Sequence, residues 1–209
     1  TGSLIVTGSA EFLYLSGSTT AGTWSSGGAM AVARKYLAGA GTQNAGLAFG
    51  GEDTSSNIVA CTEEYSGISW TTGGALQIAR YNMGGAGTQN AGLAFGGETY
   101  SSTVTCTEEY SGISWSTGGA LQIARRYLGG AGTQNAGLAF GGRNSSFSPV
   151  ACTEEYNGSS WSAGPALGNV IRNNAGAGTG TTALSFGGYN NTSIVGLTEE
   201  LSTTAATAN

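Results

Sequence analysis

The chain has 209 residues, of which 39% are hydrophobic and only 9% charged, and it contains 38 glycines and no histidine. This apolar content excludes a disordered glycine-rich chain and is enough to build one domain with a sizeable core. The net charge of −5 with seven Lys and Arg argues against a nucleic-acid partner, and no apolar run reaches the roughly 20 residues of a membrane helix.

The first segment, residues 1–20, has a different residue pattern from the rest, because Gly and Ser alternate there with β-branched apolar residues. It resembles the shaft segments of trimeric fibre proteins, which would make the chain a trimer with a head on a stalk. The stretches 4–8 and 12–15 have a second interpretation, as degenerate strands of an additional blade. We therefore expect a leader at 1–20 and a separate domain at 21–209.

The rest of the chain repeats one unit four times with a period of 45 or 46 residues. Each unit contains a Trp, an Arg ten or eleven residues later, a Gly/Ala-rich stretch, a Gly-Gly doublet and a Thr-Glu-Glu element. The four tryptophans are Trp24, Trp70, Trp115 and Trp161. Helical periodicity is missing, and four short strands in about 45 residues are typical of a propeller blade. The sequence predicts an all-β fold, a small β-propeller of four four-stranded blades, with five as the alternative.

In the second unit, strands are predicted at residues 80–88, 91–95, 104–110 and around Trp115, separated by Gly, Asn and Ser turns. The chain starts its first unit at a fourth strand, around Trp24, and ends its last at a third strand, around Glu199. We therefore expect the N-terminal strand to complete the last blade and close the ring. Trp side chains are predicted to fill the wedges between blades.

Eight of the twelve acidic residues form four Glu-Glu pairs. Neighbours on a strand point to opposite faces, so one Glu of each pair should face inward and pair with the repeated Arg, because a buried charge needs a partner. The predicted members of this structural Glu–Arg pairing are Glu63, Glu64, Glu108, Glu109, Glu154, Glu155, Glu199, Glu200, Arg34, Arg80, Arg125 and Arg172. A glycosidase pair or a calcium site is the alternative, although fourfold repetition gives four equivalent environments.

Three cysteines occupy the same position in three repeats. Equivalent positions in neighbouring blades are too far apart for a disulfide, and no Cys/His zinc pattern is present. Cys61, Cys106 and Cys152 are therefore predicted to be small buried strand residues.

The loop after each Gly-Gly doublet differs between units, and loops carry function when the scaffold is held fixed. These loops should cluster on one rim, where aromatic rings can stack on sugar faces or anchor a protein partner. The candidate ligand-binding residues are Asp53, Tyr100, Arg143, Phe147, Tyr189 and Asn190. Solvated loops without a ligand are the alternative. A second aromatic set, Tyr36, Tyr81 and Tyr127, is predicted to pack as scaffold.

The Gly-Gly doublet, the Tyr of Thr-Glu-Glu-Tyr, the following Trp and the later Arg together resemble the Kelch repeat signature over residues 22–201. The motif Thr-Glu-Glu-Tyr-Ser-Gly-Ile-Ser-Trp, together with Gly-Ala-Gly-Thr, also resembles the Kelch-like arrays of marine and cyanobacterial phage structural proteins. The last repeat departs from the pattern, because Leu201 replaces the Tyr and no Trp follows.

This resemblance implies a non-enzymatic binding or structural module at the virion surface or outside the cell, in a phage tail fibre or a capsid-associated adhesin. Its expected partner is a host surface glycan or another virion protein. The alternative is a cellular Kelch scaffold that binds a protein partner. Galactose-oxidase-like relatives resemble it in fold but use a Tyr/His copper site. Because the chain lacks His, we expect no catalytic residue, no metal and no cofactor.

Overall fold

The structure is a computed structural model that describes residues 22–202. The predicted leader at 1–20 lies outside these residues, together with the stretches 4–8 and 12–15, so the shaft and the additional blade stay predictions. Residues 22–202 contain no α-helix, and hence no helix that is long and apolar enough to cross a membrane.

The described residues form nineteen short strands joined by turns. In chain order they are β1 (Arg34–Lys35), β2 (Ala38–Thr42), β3 (Ala45–Phe49), β4 (Glu52–Asp53), β5 (Thr62–Tyr65), β6 (Trp70–Thr72), β7 (Gly84–Thr88), β8 (Ala91–Phe95), β9 (Thr107–Tyr110), β10 (Trp115–Thr117), β11 (Arg125–Arg126), β12 (Gly129–Thr133), β13 (Ala136–Phe140), β14 (Arg143–Asn144), β15 (Thr153–Tyr156), β16 (Trp161–Gly164), β17 (Ala175–Gly178), β18 (Thr182–Phe186) and β19 (Thr198–Ser202).

Four antiparallel sheets are arranged as the blades of a four-bladed β-propeller, which confirms the predicted all-β fold and the count of four blades for this part of the chain. Blade 1 has the strand order β2-β3-β5-β6, blade 2 β7-β8-β9-β10, blade 3 β12-β13-β15-β16 and blade 4 β17-β18-β19. The inner strands β2, β7, β12 and β17 pack against one another in that sequence. The pairs β1–β4 and β11–β14 form two small additional ladders.

Two strand bounds of the second unit differ from the prediction. The third strand begins at Thr107, where the sequence suggested residue 104. In blade 2 the inner strand begins at Gly84, whereas the sequence suggested residue 80. Asn82 has a positive φ of 55°, so the backbone leaves the extended conformation between Arg80 and the strand. Arg80 therefore lies outside the four-stranded sheet. Its side chain is buried at the end of the inner strand.

The Gly-Gly doublet adopts a backbone conformation with positive φ that other residues rarely take. In blade 2, Gly96 and Gly97 have φ values of 62° and 93°, and their amides donate to the carbonyls of Cys106 and Arg125. A side chain at either position would be strained. The doublet therefore turns the chain out of the second strand toward the variable loop.

Glycine has a different role in the inner strands, where blades approach closely. A Cβ added at Gly85 would lie 2.9 Å from both the Gly39 carbonyl oxygen and Cζ of Phe49 in blade 1. Gly130 and Gly176 meet the preceding blade through the equivalent atoms. The absence of a side chain is thus what sets the spacing of the blades.

The core consists of the interfaces between blades. Between blades 1 and 2, Trp115 lies edge-on to Phe49, with 4.9 Å between ring centroids, and its Nε1 donates to Oγ1 of Thr62 at 2.8 Å. Trp161 repeats both contacts one blade later, with Phe95 and Thr107. These two indoles fill wedges as predicted, and both are buried.

The strand that the sequence predicts around Trp24 is not formed. Residues 22–30 contain no strand, Trp24 is fully exposed and blade 4 has three strands. Gly27 and Gly28 instead lie against Tyr65 and Ile68, so this segment follows blade 1. Within the described residues, contact between the first and last blades does not close the ring.

Candidate ligand-binding rim

The first Glu of each pair is buried against an arginine in three of the four repeats. Arg34 pairs with Glu63, Arg80 with Glu108, and Arg125 with Glu154, and none of these side chains is more than 2% exposed. The partners come from the two ends of one unit, so each ion pair ties the start of a blade to its third strand. Each guanidinium also donates to a second-strand carbonyl, such as that of Ala94.

The carboxylate end of each pair also accepts backbone N–H bonds. Burial alone would raise the pKa of Glu63, but the Arg34 guanidinium and the amides of Ala31 and Val32 outweigh it, and the net effect lowers this pKa. A carboxylate satisfied in this way is a structural group, since its oxygens are already occupied.

The fourth repeat does not form the predicted ion pair. The Arg172 guanidinium donates to Oδ1 of Asn173 and lies over the Tyr189 ring at 4.5 Å. Glu199 accepts the amides of Gly168 and Asn169 instead. The unit has one extra residue between Leu167 and its Arg, so a buried Ile171 takes the place that Arg125 holds in blade 3.

The second Glu of the pairs in blades 1 and 2 joins neighbouring blades. The Tyr110 hydroxyl donates to Glu64 Oε1 at 2.5 Å, and Tyr156 donates to Glu109 at the same distance. Burial, together with these bonds, raises the pKa of Tyr110 and of Tyr156 to about 12. The sequence included Glu64 and Glu109 in the set that forms the Glu–Arg pairing, and the structure instead gives each of them a tyrosine of the next blade.

These tyrosines predict an alkaline limit to stability. A phenol whose pKa is higher in the folded state than in the unfolded state stabilises the fold fully below the unfolded value of about 10. That contribution disappears as the pH rises from 10 toward 12. We expect a spectrophotometric titration to show two tyrosines that ionise at about pH 12, and Tyr110→Phe with Tyr156→Phe to remove that step. A wild-type titration with every tyrosine ionising near 10 would contradict the assignment.

The variable loops lie along one rim, and two predicted site residues act within their own loops. Asp53 accepts the amides of Ser55 and Asn57, and these bonds, with that from the Asn57 side chain, lower the pKa of Asp53. Asn190 accepts the amides of Thr192 and Ser193 in the same manner. Both side chains therefore shape turns, as Asp and Asn commonly do.

The loops of blades 2 and 3 enclose a groove of about 440 Å³ at this rim. Its two aromatic walls are Tyr100 and Phe147, which are 74% and 61% exposed. The Tyr100 hydroxyl is anchored, because it accepts the Ile58 amide at 2.8 Å and donates to the Ser56 carbonyl. The Tyr100 ring is thus held by the neighbouring loop of blade 1 while much of its surface faces solvent.

Phe147 is held in an unusual conformation. Its φ is 63°, in the region that bulky residues rarely adopt. Its ring is flanked by two guanidinium groups, Arg143 at 4.7 Å and Arg126 at 5.1 Å. Such cation–π contacts stabilise an exposed ring by about 0.5–1 kcal/mol each. The structure thus brings two predicted residues, Arg143 and Phe147, into direct contact, and Tyr100 lines the same groove as Phe147.

Eight of the ten residues that line the groove were not among the predicted site residues, and three of these eight, Arg126, Glu98 and Tyr81, are charged or aromatic. Arg126 forms an ion pair with Glu98, whose Oε1 also accepts from the buried Asn82 side chain. Tyr81, predicted as scaffold, lines the groove as well. Arg126 could have been noticed, because it is the only basic residue directly after a repeated Arg apart from Lys35. Tyr189 and Tyr127 lie farther along the rim, on either side of Arg172.

Elsewhere in the described part of the chain, the side chains offer little for metal chemistry. No group of three or more His, Cys, Asp or Glu side chains is placed to hold a metal ion in residues 22–202. Cys61, Cys106 and Cys152 are half-buried thiols without a disulfide, and burial raises the pKa of Cys152. A scan against protein-family models and a search of curated proteins find no match to this chain.

Proposed function

We propose that this protein is a non-enzymatic binding module whose ligand is a surface glycan held in the groove between Tyr100 and Phe147. The observation that carries the proposal is a pair of exposed aromatic rings that line one polar groove and are held in place by their surroundings. Sugar rings present apolar faces that stack on such aromatics, and hydroxyl groups at their edges need polar partners.

The rest of the groove lining supports a sugar ligand. Thr99, Ser101, Ser102 and Thr103 supply hydroxyl groups, and the Arg126–Glu98 pair supplies charged donors and acceptors at the base. Fixed rings lose little conformational entropy when a ligand binds, so they contribute more of their contact energy to affinity.

A binding role also fits the arrangement of the carboxylates. Glu98 is the one acidic residue in the groove lining, and it is paired with Arg126. A glycosidase of the usual type needs two carboxyl groups flanking the scissile bond. In blades 1 and 2 the Glu-Glu pairs serve ion pairs and blade contacts instead.

The biological setting belongs to the same proposal. The Kelch-like repeat and its likeness to phage structural arrays favour a virion-surface or extracellular protein, in a tail fibre or a capsid-associated adhesin that attaches to a host glycan. Another virion protein is the second partner that this setting offers. The low charge and the Ser/Thr-rich loops are compatible with an exposed surface of this kind.

A cellular scaffold that binds a protein partner is the second candidate. The observation that favours it is the series of arginines and aromatics along the rim, Arg126, Phe147, Arg143, Tyr189 and Arg172. Arg and aromatic side chains are enriched among the residues that dominate protein interfaces. A peptide partner would be expected to carry acidic residues, to match the three guanidinium groups.

We expect a glycan array to identify a bound oligosaccharide and calorimetry to show that Tyr100→Ala or Phe147→Ala weakens its binding about tenfold, because each removes a stacking surface. Tyr100→Phe keeps the ring and should retain most of the affinity. Ile113→Ala, at an exposed turn of blade 2, is the control for nonspecific effects.

Two results would count against the glycan proposal. Folded Tyr100→Ala and Phe147→Ala variants with wild-type affinity would place the site elsewhere. An array without binding, combined with binding of an acidic peptide that depends on Arg126 and Arg143, would favour the protein partner.

A further inference from the structure

The interfaces between blades 1 and 2 and between blades 2 and 3 show which contacts would cover the faces that the described residues leave free. At the first interface, Phe49 of blade 1 packs on Trp115 of blade 2, and Thr62 accepts its indole N–H. Glu64 accepts the Tyr110 hydroxyl, and Phe49 also lies against the glycine of the next inner strand, Gly85. The second interface repeats these four contacts with Phe95, Trp161, Thr107, Glu109, Tyr156 and Gly130.

Blade 4 presents the first half of this interface to solvent. Phe186 is 41% exposed, whereas its equivalents Phe49 and Phe95 are fully buried. Leu184, Thr198 and Glu200, which correspond to buried or bonded residues of the earlier blades, are exposed as well. Blade 4 thus carries one apolar and hydrogen-bonding face that no described residue covers.

Blade 1 presents the second half. Tyr65 and Trp70 are half-buried, and among residues 22–202 a Cβ added at Gly39 would meet only the Leu47 carbonyl of its own blade within 4 Å. The equivalent glycines of blades 2, 3 and 4 all meet the preceding blade. The face of blade 1 is therefore built to receive a preceding blade that is not in contact with it.

The groove between blades 3 and 4 and the exposed indole of Trp24 also match each other. The groove between blades 3 and 4, of about 110 Å³, is lined by Phe140, Thr153 and Leu201 among others, and it corresponds to the place that Trp161 fills one blade earlier. Trp24 lies three residues before Gly27, as Trp70 lies three residues before Gly73, and both glycines meet the tyrosine hydroxyl of the following blade. Trp24 therefore has the register of the outer-strand tryptophan that blade 4 lacks.

We propose that two copies of this chain associate head to tail, so that blade 4 of one copy packs against blade 1 of the other. The second copy's Trp24 segment completes blade 4 as its fourth strand, and that indole enters the groove at Phe140 and Thr153. Phe186 then packs on Gly39 and Trp70 of the second copy. These two residues are the blade 1 equivalents of Gly85 and Trp115.

A second copy fits these faces better than closure within one chain. The described chain holds both faces and leaves them apart, and closing it would require repacking three interfaces whose central residues are already buried. Two copies need no such change and supply eight blades, which is within the usual range of propellers. The contact is heterologous, so it gives a ring if the rotation closes and a filament if it does not.

The first test is the mass of the full-length chain in solution, by light scattering and sedimentation over a range of concentrations. We expect a species of at least twice the chain mass of 20.7 kDa. Phe186→Lys should weaken association at least a hundredfold and Trp24→Ala at least tenfold. Ile194→Lys, at an exposed position in the same blade, should leave association unchanged.

A mixing experiment tests the polarity of the contact. Gly39→Leu alters the blade 1 face and Phe186→Lys the blade 4 face, so each variant alone should be monomeric. An equimolar mixture retains one intact interface and should form a one-to-one pair. Both positions are exposed, and circular dichroism spectra that match the wild type would confirm that each variant is folded.

Three results would overturn the proposal. One is a wild-type chain that is monomeric throughout with its exposed indole fully quenched by iodide. Another is a monomer in which Trp24 is protected from iodide, which would mean closure within one chain. The third is an oligomer that Phe186→Lys does not weaken.

Discussion

Arg80→Met should lower the free energy of unfolding by about 3–5 kcal/mol, because it leaves the Glu108 carboxylate buried without its cation. The methionine fills part of the space of the arginine stem but cannot donate to Glu108 or to the Ala94 carbonyl. Urea denaturation followed by tryptophan fluorescence measures the loss. We expect the midpoint to fall steeply with little change in the slope.

Arg172→Met is the matched control, since it makes the same substitution at the arginine that the repeat pattern aligns with Arg80. Arg172 contacts Asn173 and the Tyr189 ring and pairs with no carboxylate, so a loss within about 1 kcal/mol is expected. Equal losses for Arg80→Met and Arg172→Met would contradict the distinction between the repeats.

A double variant separates the buried charge from the packing. Arg80→Met with Glu108→Leu removes both charges, and replacing a buried ion pair by apolar residues is often neutral. Most of the lost stability should therefore return. A double variant as unstable as Arg80→Met alone would mean that the pair contributes mainly through its hydrogen bonds to the Ala94 carbonyl and the Gln77 amide.

The blade scaffold could be predicted from the sequence because every blade uses the same local chemistry. The strand Ala91–Phe95 lies where the pattern placed it, and each of the four doublets after the second strand adopts positive φ. These features depend on residues that are close together in sequence, so they recur wherever the same residues recur. The period alone then determines how many blades these residues can build.

The contacts of Arg172 could not be predicted by aligning the repeats on residue identity alone. One inserted residue before Arg172 moves it out of the position of Arg80 and Arg125, and Ile171 enters the core instead. The register is set by backbone bonds: Gly142 donates to the Ile171 carbonyl, just as Gly97 donates to that of Arg125. The repeats have to be aligned by these backbone hydrogen bonds before the partner of each charged side chain can be predicted.

The groove was predicted only in part, because its residues come together through the spacing of two blades. Tyr100 and Phe147 were identified as aromatics in variable loops, whereas Arg126 and Tyr81 belong to the segment after the repeated Arg. No pattern within one unit brings Arg126 beside Glu98 and Thr103, which belong to the loop of the preceding unit. The positive φ of Phe147 and its two guanidinium neighbours likewise become evident only in three dimensions.

The completed interface and the free face of blade 1 together predict unequal effects at two equivalent tryptophans. Trp115→Ala should lower the free energy of unfolding by about 3–5 kcal/mol, because it opens a cavity between Phe49 and Tyr110 and leaves the Thr62 hydroxyl without its donor. Denaturation of dilute, monomeric protein, monitored by circular dichroism, measures this loss without relying on the removed indole.

Trp70→Ala is the matched comparison, since Trp70 has the same strand position and the same contact with the tyrosine of its own blade, Tyr65. In the monomer it lacks the contacts with a preceding blade, so its loss should be about half that of Trp115→Ala or less. Equal losses in the monomer would mean that the tryptophan acts through its own blade. At concentrations where two copies associate, the effect of Trp70→Ala should grow toward that of Trp115→Ala, because the face of blade 1 is then covered.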